Sequence, residues 1–145
     1  MKVEISIDQA YSEDSARFEL RELTAELNQA IQNLSALDFQ LTGRCGNDIY
    51  RLDLSALTTI YATEKKVYAL SDKEEEYLLK ETLSELASLL PSDYLRISNA
   101  EIVNTKKIKS FDLTAGGKIK LTFKNGNWTF SSRSYLKGIK DYFKL

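Results

Sequence analysis

Histidine is absent from the chain, and cysteine and proline occur once each. Without imidazole there is no His-based acid–base catalysis and no zinc site with His ligands. The lone Cys45 can form neither an internal disulfide nor a four-Cys zinc site. Within Arg44-Cys45-Gly46-Asn47 it reads as a thiol beside a turn. No run of about 18 apolar residues is present, which argues against a transmembrane helix. Met1-Lys2-Val3-Glu4 lacks the apolar segment of a secretory leader, so a cytoplasmic location is the default expectation. The Gly-rich loop that cradles phosphates is missing too, since Gly116-Gly117 is only a dipeptide. An enzyme would have to rely on carboxylates, Lys, Tyr or Cys45, and no such set stands at a suitable spacing. No cofactor, metal or small-molecule substrate is expected.

What is present divides unevenly by charge. The whole chain is near neutral, at −1. Residues 93–145 carry 11 Lys/Arg against 4 Asp/Glu, a balance of +7, whereas the first 92 carry 9 against 17, a balance of −8. A neutral whole with one basic third points to a polyanion partner for that third. The same stretch alternates apolar and polar residues in short runs around Ile97, Ile102-Val103, Ile108, Ile119/Leu121/Phe123 and Trp128/Phe130, the period of strands. Gly116-Gly117 and Asn125-Gly126 fall between the runs and accept the positive φ that tight hairpins need.

Taken in order, Val3, Ile5 and Ile7 alternate with polar residues over 2–8, and Ala16, Phe18 and Leu20 do so over 15–21. A hairpin turning through Gln9–Asp14 is expected, with a helix starting at Ser15 as the alternative. Leu23, Leu27, Ala30, Ile31 and Leu34 then take helical spacing behind Thr24, a good N-cap, with the helix ending near Ala36. That stripe either packs on its own domain or forms a dimer seam or partner face. Residues 38–43 and 47–53 read as paired strands around Arg44-Cys45-Gly46. Thr58–Ala62 and Val67–Leu70 flank a Thr63-Glu64-Lys65-Lys66 turn. Glu74-Glu75-Glu76 reads as a solvated turn rather than a metal site, because consecutive strand residues face opposite ways. Tyr77–Lys80 reads as a further strand. Thr82 caps a short helix that Pro91 stops, and Ser132 is placed to cap the last helix, marked by Leu136, Ile139 and Phe143. The result is a mainly antiparallel β chain of eight to ten short strands with two or three short helices.

Two residues have the chemistry for reading bases. Arg pairs bidentately with guanine and Asn with adenine, each good pair being worth about 1–3 kcal/mol of discrimination. Asn99 follows Arg96-Ile97-Ser98 in a turn, where it serves either as a reader or as an Asx-turn residue. Arg133 stands at a strand-to-helix junction, where positive charge opposes the helix macrodipole unless an anion lies nearby. It is otherwise a plain surface arginine. Lys106, Lys107 and Lys109 lie between strands, and Lys118, Lys120 and Lys124 alternate along one, as a phosphate-binding face or a merely solvated one. Trp128 and Phe130 read as core or cross-strand residues, or as a stacking platform for single strands.

Tyr94-Leu95-Arg96-Ile97-Ser98, then Ile102-Val103-Asn104 with Ile108, then Asn125-Gly126 followed by Ser132-Arg133-Ser134-Tyr135 and Leu136-Lys137 resemble the LytTR DNA-binding domain of bacterial transcription regulators. A weaker likeness reaches back to about Asp38, so the expected division is a hairpin-helix extension at 1–37, dimerising or regulatory, and a LytTR-like domain at 38–145. The resemblance implies small antiparallel sheets whose loops, rather than a recognition helix, enter major grooves of double-stranded DNA. It implies base contacts by Asn99, Arg133 and Lys65 or Lys66. It implies backbone contacts by Arg96, Lys106, Lys107, Ser132, Ser134, Tyr135 and Lys137. A homodimer on paired sites and restraint by a small membrane protein are further implications, and the acidic, Leu-striped N-terminus is the expected contact for that restraint. The family often has His and a basic residue where this chain has Ser98 and Asn99, and two Arg where it has Arg133-Ser134, which bears on base preference. The competing reading is an interaction module whose basic β surface binds an acidic protein.

Overall fold

The computed structural model describes residues 1–114 and 116–145. Among the described residues, ten strands form two antiparallel sheets, with three short α-helices. The strands are β1 (Thr42–Cys45), β2 (Asp48–Arg51), β3 (Leu57–Thr63), β4 (Lys66–Ser71), β5 (Glu76–Leu79), β6 (Tyr94–Ser98), β7 (Glu101–Asn104), β8 (Ile108–Leu113), β9 (Ile119–Phe123) and β10 (Trp128–Phe130). The helices are α1 (Ala25–Ser35), α2 (Leu83–Leu89) and α3 (Leu136–Phe143). The larger sheet runs β2-β1-β5-β4-β3-β7-β6 and the smaller β10-β9-β8.

Two cores hold these layers. Leu57, Ile60, Ala69, Leu79 and Ile102 of the large sheet bury one face against Leu83, Leu86 and Leu90 from α2 and its C-terminal end. Ile97 and Val103, on the opposite face of the same sheet, pack on Ile119, Leu121 and Phe123 of the small sheet and on Ile139 of α3. Neighbouring residues Ile102 and Val103 therefore enter different cores, the outcome of strand alternation in a strand covered on both sides. Gly43 is forced by packing: a methyl group there would lie 2.6 Å from Tyr77 Cβ and 2.9 Å from Leu52 Cδ1.

Local signals set several elements. Thr24 Oγ1 accepts from Leu27 N and Thr82 Oγ1 from Glu85 N, so both expected N-caps form. Glu64 and Lys65 take φ of +49° and +65°, both in the left-handed region, and join β3 to β4 in a two-residue turn.

Three expectations need correction. Residues 2–8 and 15–21 form no strands and no hairpin, and Val3, Ile5 and Ile7 are exposed. A lone two-stranded hairpin is marginal in water unless another surface covers its apolar face, and here none does. The first expected strand, 38–43, begins late at Thr42, because the turn falls at Gly46-Asn47 with Cys45 opposite Asp48. Cys45 is consequently an exposed strand residue. Ser132 makes no side-chain cap, its hydroxyl pairing with that of Ser134 at 3.1 Å instead.

Candidate nucleic-acid interface

The β6–β7 turn, Asn99-Ala100, is fixed from three directions. Arg96 Nε donates to Ser98 O at 3.2 Å and its Nη2 to Asn99 O at 3.0 Å. The Ser98 hydroxyl accepts from Ala100 N at 3.1 Å. Tyr135 Oη donates to Asn99 Oδ1 at 2.9 Å, across 36 residues of sequence. Asn99 is exposed, and this last bond engages its carbonyl oxygen while its amide N–H groups remain as donors. Arg96 is turned onto its own loop, where both of its hydrogen bonds brace the turn.

The same turn gathers two other segments. Ala62 N donates to Ala100 O at 2.8 Å, which sets the β3–β4 hairpin beside it and brings exposed Lys65 and Lys66 to the same end of the sheet. Ser132 N donates to Ile97 O at 2.9 Å, which fastens the segment entering α3. Arg133 opens a single 3-10 turn, Arg133–Tyr135, that runs into α3. Its side chain lies along the β8–β9 turn, where a methyl group on Gly116 would come 3.3 Å from Arg133 Nη2. Gly116 and Gly117 thus serve both a positive-φ turn and a bed for the arginine. Arg133 is exposed and forms no ion pair among the described residues. Ser134 and Lys137 are exposed beside it.

Not every basic residue joins this end. Lys106 and Lys107 follow the other end of β7, where Lys106 pairs with Asp93 at 3.3 Å and Lys107 with Asp72 at 2.6 Å. On the outer face of the small sheet Trp128 and Phe130 are exposed rather than core, in edge-to-face contact at 5.4 Å. Lys120 Nζ stands 4.8 Å from the Trp128 ring centre, a cation–π contact across the β9–β10 pair. Their partner on the inner face, Thr129, donates to Glu101. Burial raises the Glu101 carboxyl above its usual range, and the hydroxyls of Thr129 and Thr59 partly offset this.

Chemically, this end of the molecule offers an exposed side-chain amide, a guanidinium with no ion pair among the described residues and two exposed lysines at the β3–β4 turn. That set suits an anionic, acceptor-rich surface. Sequence reasoning proposed Asn99 and Arg133 as candidates but missed that Tyr135 bonds the first and the Gly116-Gly117 turn lies against the second, because both contacts are long-range. Among the described residues no group of acidic, Cys or His side chains could hold a metal, and no helix is long and apolar enough to cross a membrane.

Comparison with known proteins agrees with this geometry. Residues 47–144 match the family described as the LytTr DNA-binding domain. Proteins of Staphylococcus aureus strains MSSA476 and COL, each described as an uncharacterized HTH-type transcriptional regulator, are 30% identical over 143 residues, covering 97% of both chains. The solved LytTr DNA-binding domain of a methyl-accepting/DNA response regulator from Bacillus cereus superposes with a TM-score of 0.69 at 24% identity, covering 73% of this chain and 97% of that one. Among the described residues α1, α2 and α3 are separated by strands, so none of them pair as a helix-turn-helix.

Proposed function

This chain belongs to the LytTR DNA-binding family, and from that premise we propose that it regulates transcription by reading double-stranded DNA with turns rather than a helix. Asn99 and Arg133 contact base edges in the major groove, and Lys65 or Lys66 supplies a third contact from the β3–β4 turn. Ser132, Ser134 and Lys137 hold the phosphate backbone beside them, and Arg96 supports the Asn99 turn from behind. Lys106 and Lys107, already paired with Asp93 and Asp72, contribute at most to the wider field. The observation that carries this reading is the tether between readers: Tyr135 bonds to Asn99 and lies two residues from Arg133, so both move as one body.

The tether also bears on which base is read. With Oδ1 engaged by the tyrosine, Asn99 offers donors, which match guanine N7 and O6 or thymine O4 better than a bidentate adenine edge. Few readers per copy make single-site binding weak, so two copies act on paired sites as a homodimer. The acidic unit at 1–37, outside the family match but within the region shared with the staphylococcal relatives, is the regulatory part and the contact for a restraining small membrane protein.

Selection of bound duplexes from a random pool with purified protein tests this. The expected result is a recurring motif, often as two copies at fixed spacing, with affinity falling steeply with salt. Recovery of unenriched sequence, or tighter binding to an acidic protein than to any duplex, would refute it.

A further inference from the structure

Much of the exposed apolar surface is concentrated before residue 38. Val3, Ile5 and Ile7 are 74%, 82% and 91% exposed, and Tyr11, Phe18, Leu20, Leu23, Leu34 and Leu37 are exposed as well. Such a concentration marks an interaction surface. Helix α1 is docked on the domain by Gln32 Nε2 donating to Leu90 O, Asn33 Oδ1 accepting from Ser92 N and a 3.9 Å Lys144–Glu26 ion pair, with Leu27 and Ile31 half-buried and no residue fully buried. The segment 2–8 has strict strand alternation, and a Lys2–Glu4 ion pair at 2.9 Å shows those side chains already on one side. Asp8 ends it by capping a turn, its Oδ1 accepting from Ala10 N.

We propose that residues 2–8 pair antiparallel with the same residues of a second copy, centred on Ile5. The charges select this register. Pairing about Ile5 places Lys2 opposite Asp8 twice, Val3 opposite Ile7 twice, Ile5 opposite itself and Glu4 opposite Ser6. Sliding by two residues sets Glu4 against Glu4 in one direction and Glu4 against Asp8 in the other. A parallel pair sets Lys2, Glu4 and Asp8 each against its own copy. Like charges directly opposite are destabilising and opposite charges favourable, so one register stands apart. The pairing is two-fold symmetric, as a closed dimer requires, and it gives all three apolar pairs a common face. Residues 15–21, Leu23 and the Leu34 side of α1, all exposed in a single copy, are the apolar surface available to cover that face, which accounts for strand patterning that a single copy leaves unpaired. The inference rests on the two-copy reading of the DNA complex for its purpose, although not for its chemistry.

Sedimentation of the full chain without DNA over a dilution series is the primary test. A reversible dimer is expected. Lys2→Glu should weaken it by about 2- to 30-fold, since two symmetry-related cross-strand pairs are lost, and Lys2→Glu combined with Asp8→Lys should restore it. In a Cys45→Ser background, Ile5→Cys should cross-link two copies under mild oxidation much faster than Glu4→Cys, whose symmetric partner is Ser6. A chain monomeric at all concentrations, a dimer indifferent to the charge swap, or equal cross-linking at positions 4 and 5 would overturn the proposal. An intramolecular hairpin of 2–8 with 15–21 in a monomer would do so too. The DNA reading is judged separately: a charge-swappable dimer that selects no duplex sinks that reading alone, and a sequence-selective monomer sinks this surface alone.

Discussion

Replacing Tyr135 with Phe removes one oxygen and nothing else, and its effect separates two roles for the residue. The tyrosine ring packs at the edge of the second core, which Phe preserves. What is lost is a hydrogen bond of 2.9 Å to Asn99 Oδ1, about 0.5–1.5 kcal/mol net in a partly exposed setting. If Tyr135 positions Asn99, that loss falls on one base pair: discrimination there drops by about 2- to 13-fold, at roughly tenfold per 1.4 kcal/mol. Affinity for unrelated duplex stays the same. If Tyr135 instead bonds a phosphate, every duplex weakens alike and the motif is unchanged. The assay is fluorescence anisotropy against the selected duplex and each single base-pair variant at fixed salt. Asn99→Ala should cost about 1–3 kcal/mol at the same position, and adding Tyr135→Phe to it should cost nothing further, because the tyrosine then has no reader to hold. Uniform weakening across sequences, or additive losses in the double variant, would refute the positioning role.

The lysines sort by their partners. Lys65→Ala and Lys66→Ala should each lower the salt slope of duplex affinity by about 0.9 if they contact phosphate. Lys107→Ala should leave that slope nearly unchanged and instead lower stability by about 1–3 kcal/mol in urea titration, a buried-pair cost reduced because Asp72 is more than a third exposed. Gly43→Ala should lower stability by about 1–3 kcal/mol, read as a lower urea midpoint, since its methyl group has no room against Tyr77 and Leu52. An unshifted midpoint would mean that β1 moves aside freely.

How far the sequence could be read depended on how local the deciding interaction was. Thr24 and Thr82 cap helices within three residues, and the Glu64-Lys65 and Asn125-Gly126 turns join adjacent strands, so pattern and spacing located them. The position of β5 between β1 and β4 was not legible, because it follows from packing between segments with no shared period. The hairpin expected over 2–21 failed for a related reason. Alternation reports that a face is to be covered, and it does not say by what. At the candidate site, Asn99 and Arg133 could be proposed from side-chain chemistry and turn context. That Tyr135 and Gly116-Gly117 hold them could not, nor that Trp128 and Phe130 face solvent while Thr129 faces in.

Glu101 joins these levels and yields a prediction with a definite sign in pH. Its carboxylate accepts from Thr59 Oγ1 of β3 at 2.6 Å and from Thr129 Oγ1 of β10 at 2.5 Å, so a single side chain ties the large sheet to the small one. Asn99 lies two residues before it, and Arg133 four residues after Thr129. The spacing between the two proposed readers therefore runs through this link as well as through Tyr135. Glu101→Ala leaves Thr129 without its partner while Thr59 keeps Ile102 O at 3.1 Å. The expected cost is about 1–3 kcal/mol, roughly 3–12 °C in Tm for a chain of this size. Below that Tm, discrimination should fall at the Asn99 and Arg133 base positions together, whereas Asn99→Ala affects one. Burial raises the Glu101 pKa, so the folded state binds its proton more tightly than the unfolded chain does. The contribution of this group to stability is then greatest below the ordinary carboxylate range and is lost as pH rises through the raised folded-state value. Glu101→Gln, which keeps the shape and has no proton to lose, removes that dependence. Wild type minus Gln variant should become more favourable to wild type as pH is lowered toward about 4.5. A flat or opposite difference in urea titrations at matched pH would mean that the threonine hydroxyls outweigh desolvation, and that the carboxylate is at home between the sheets as a charged bridge.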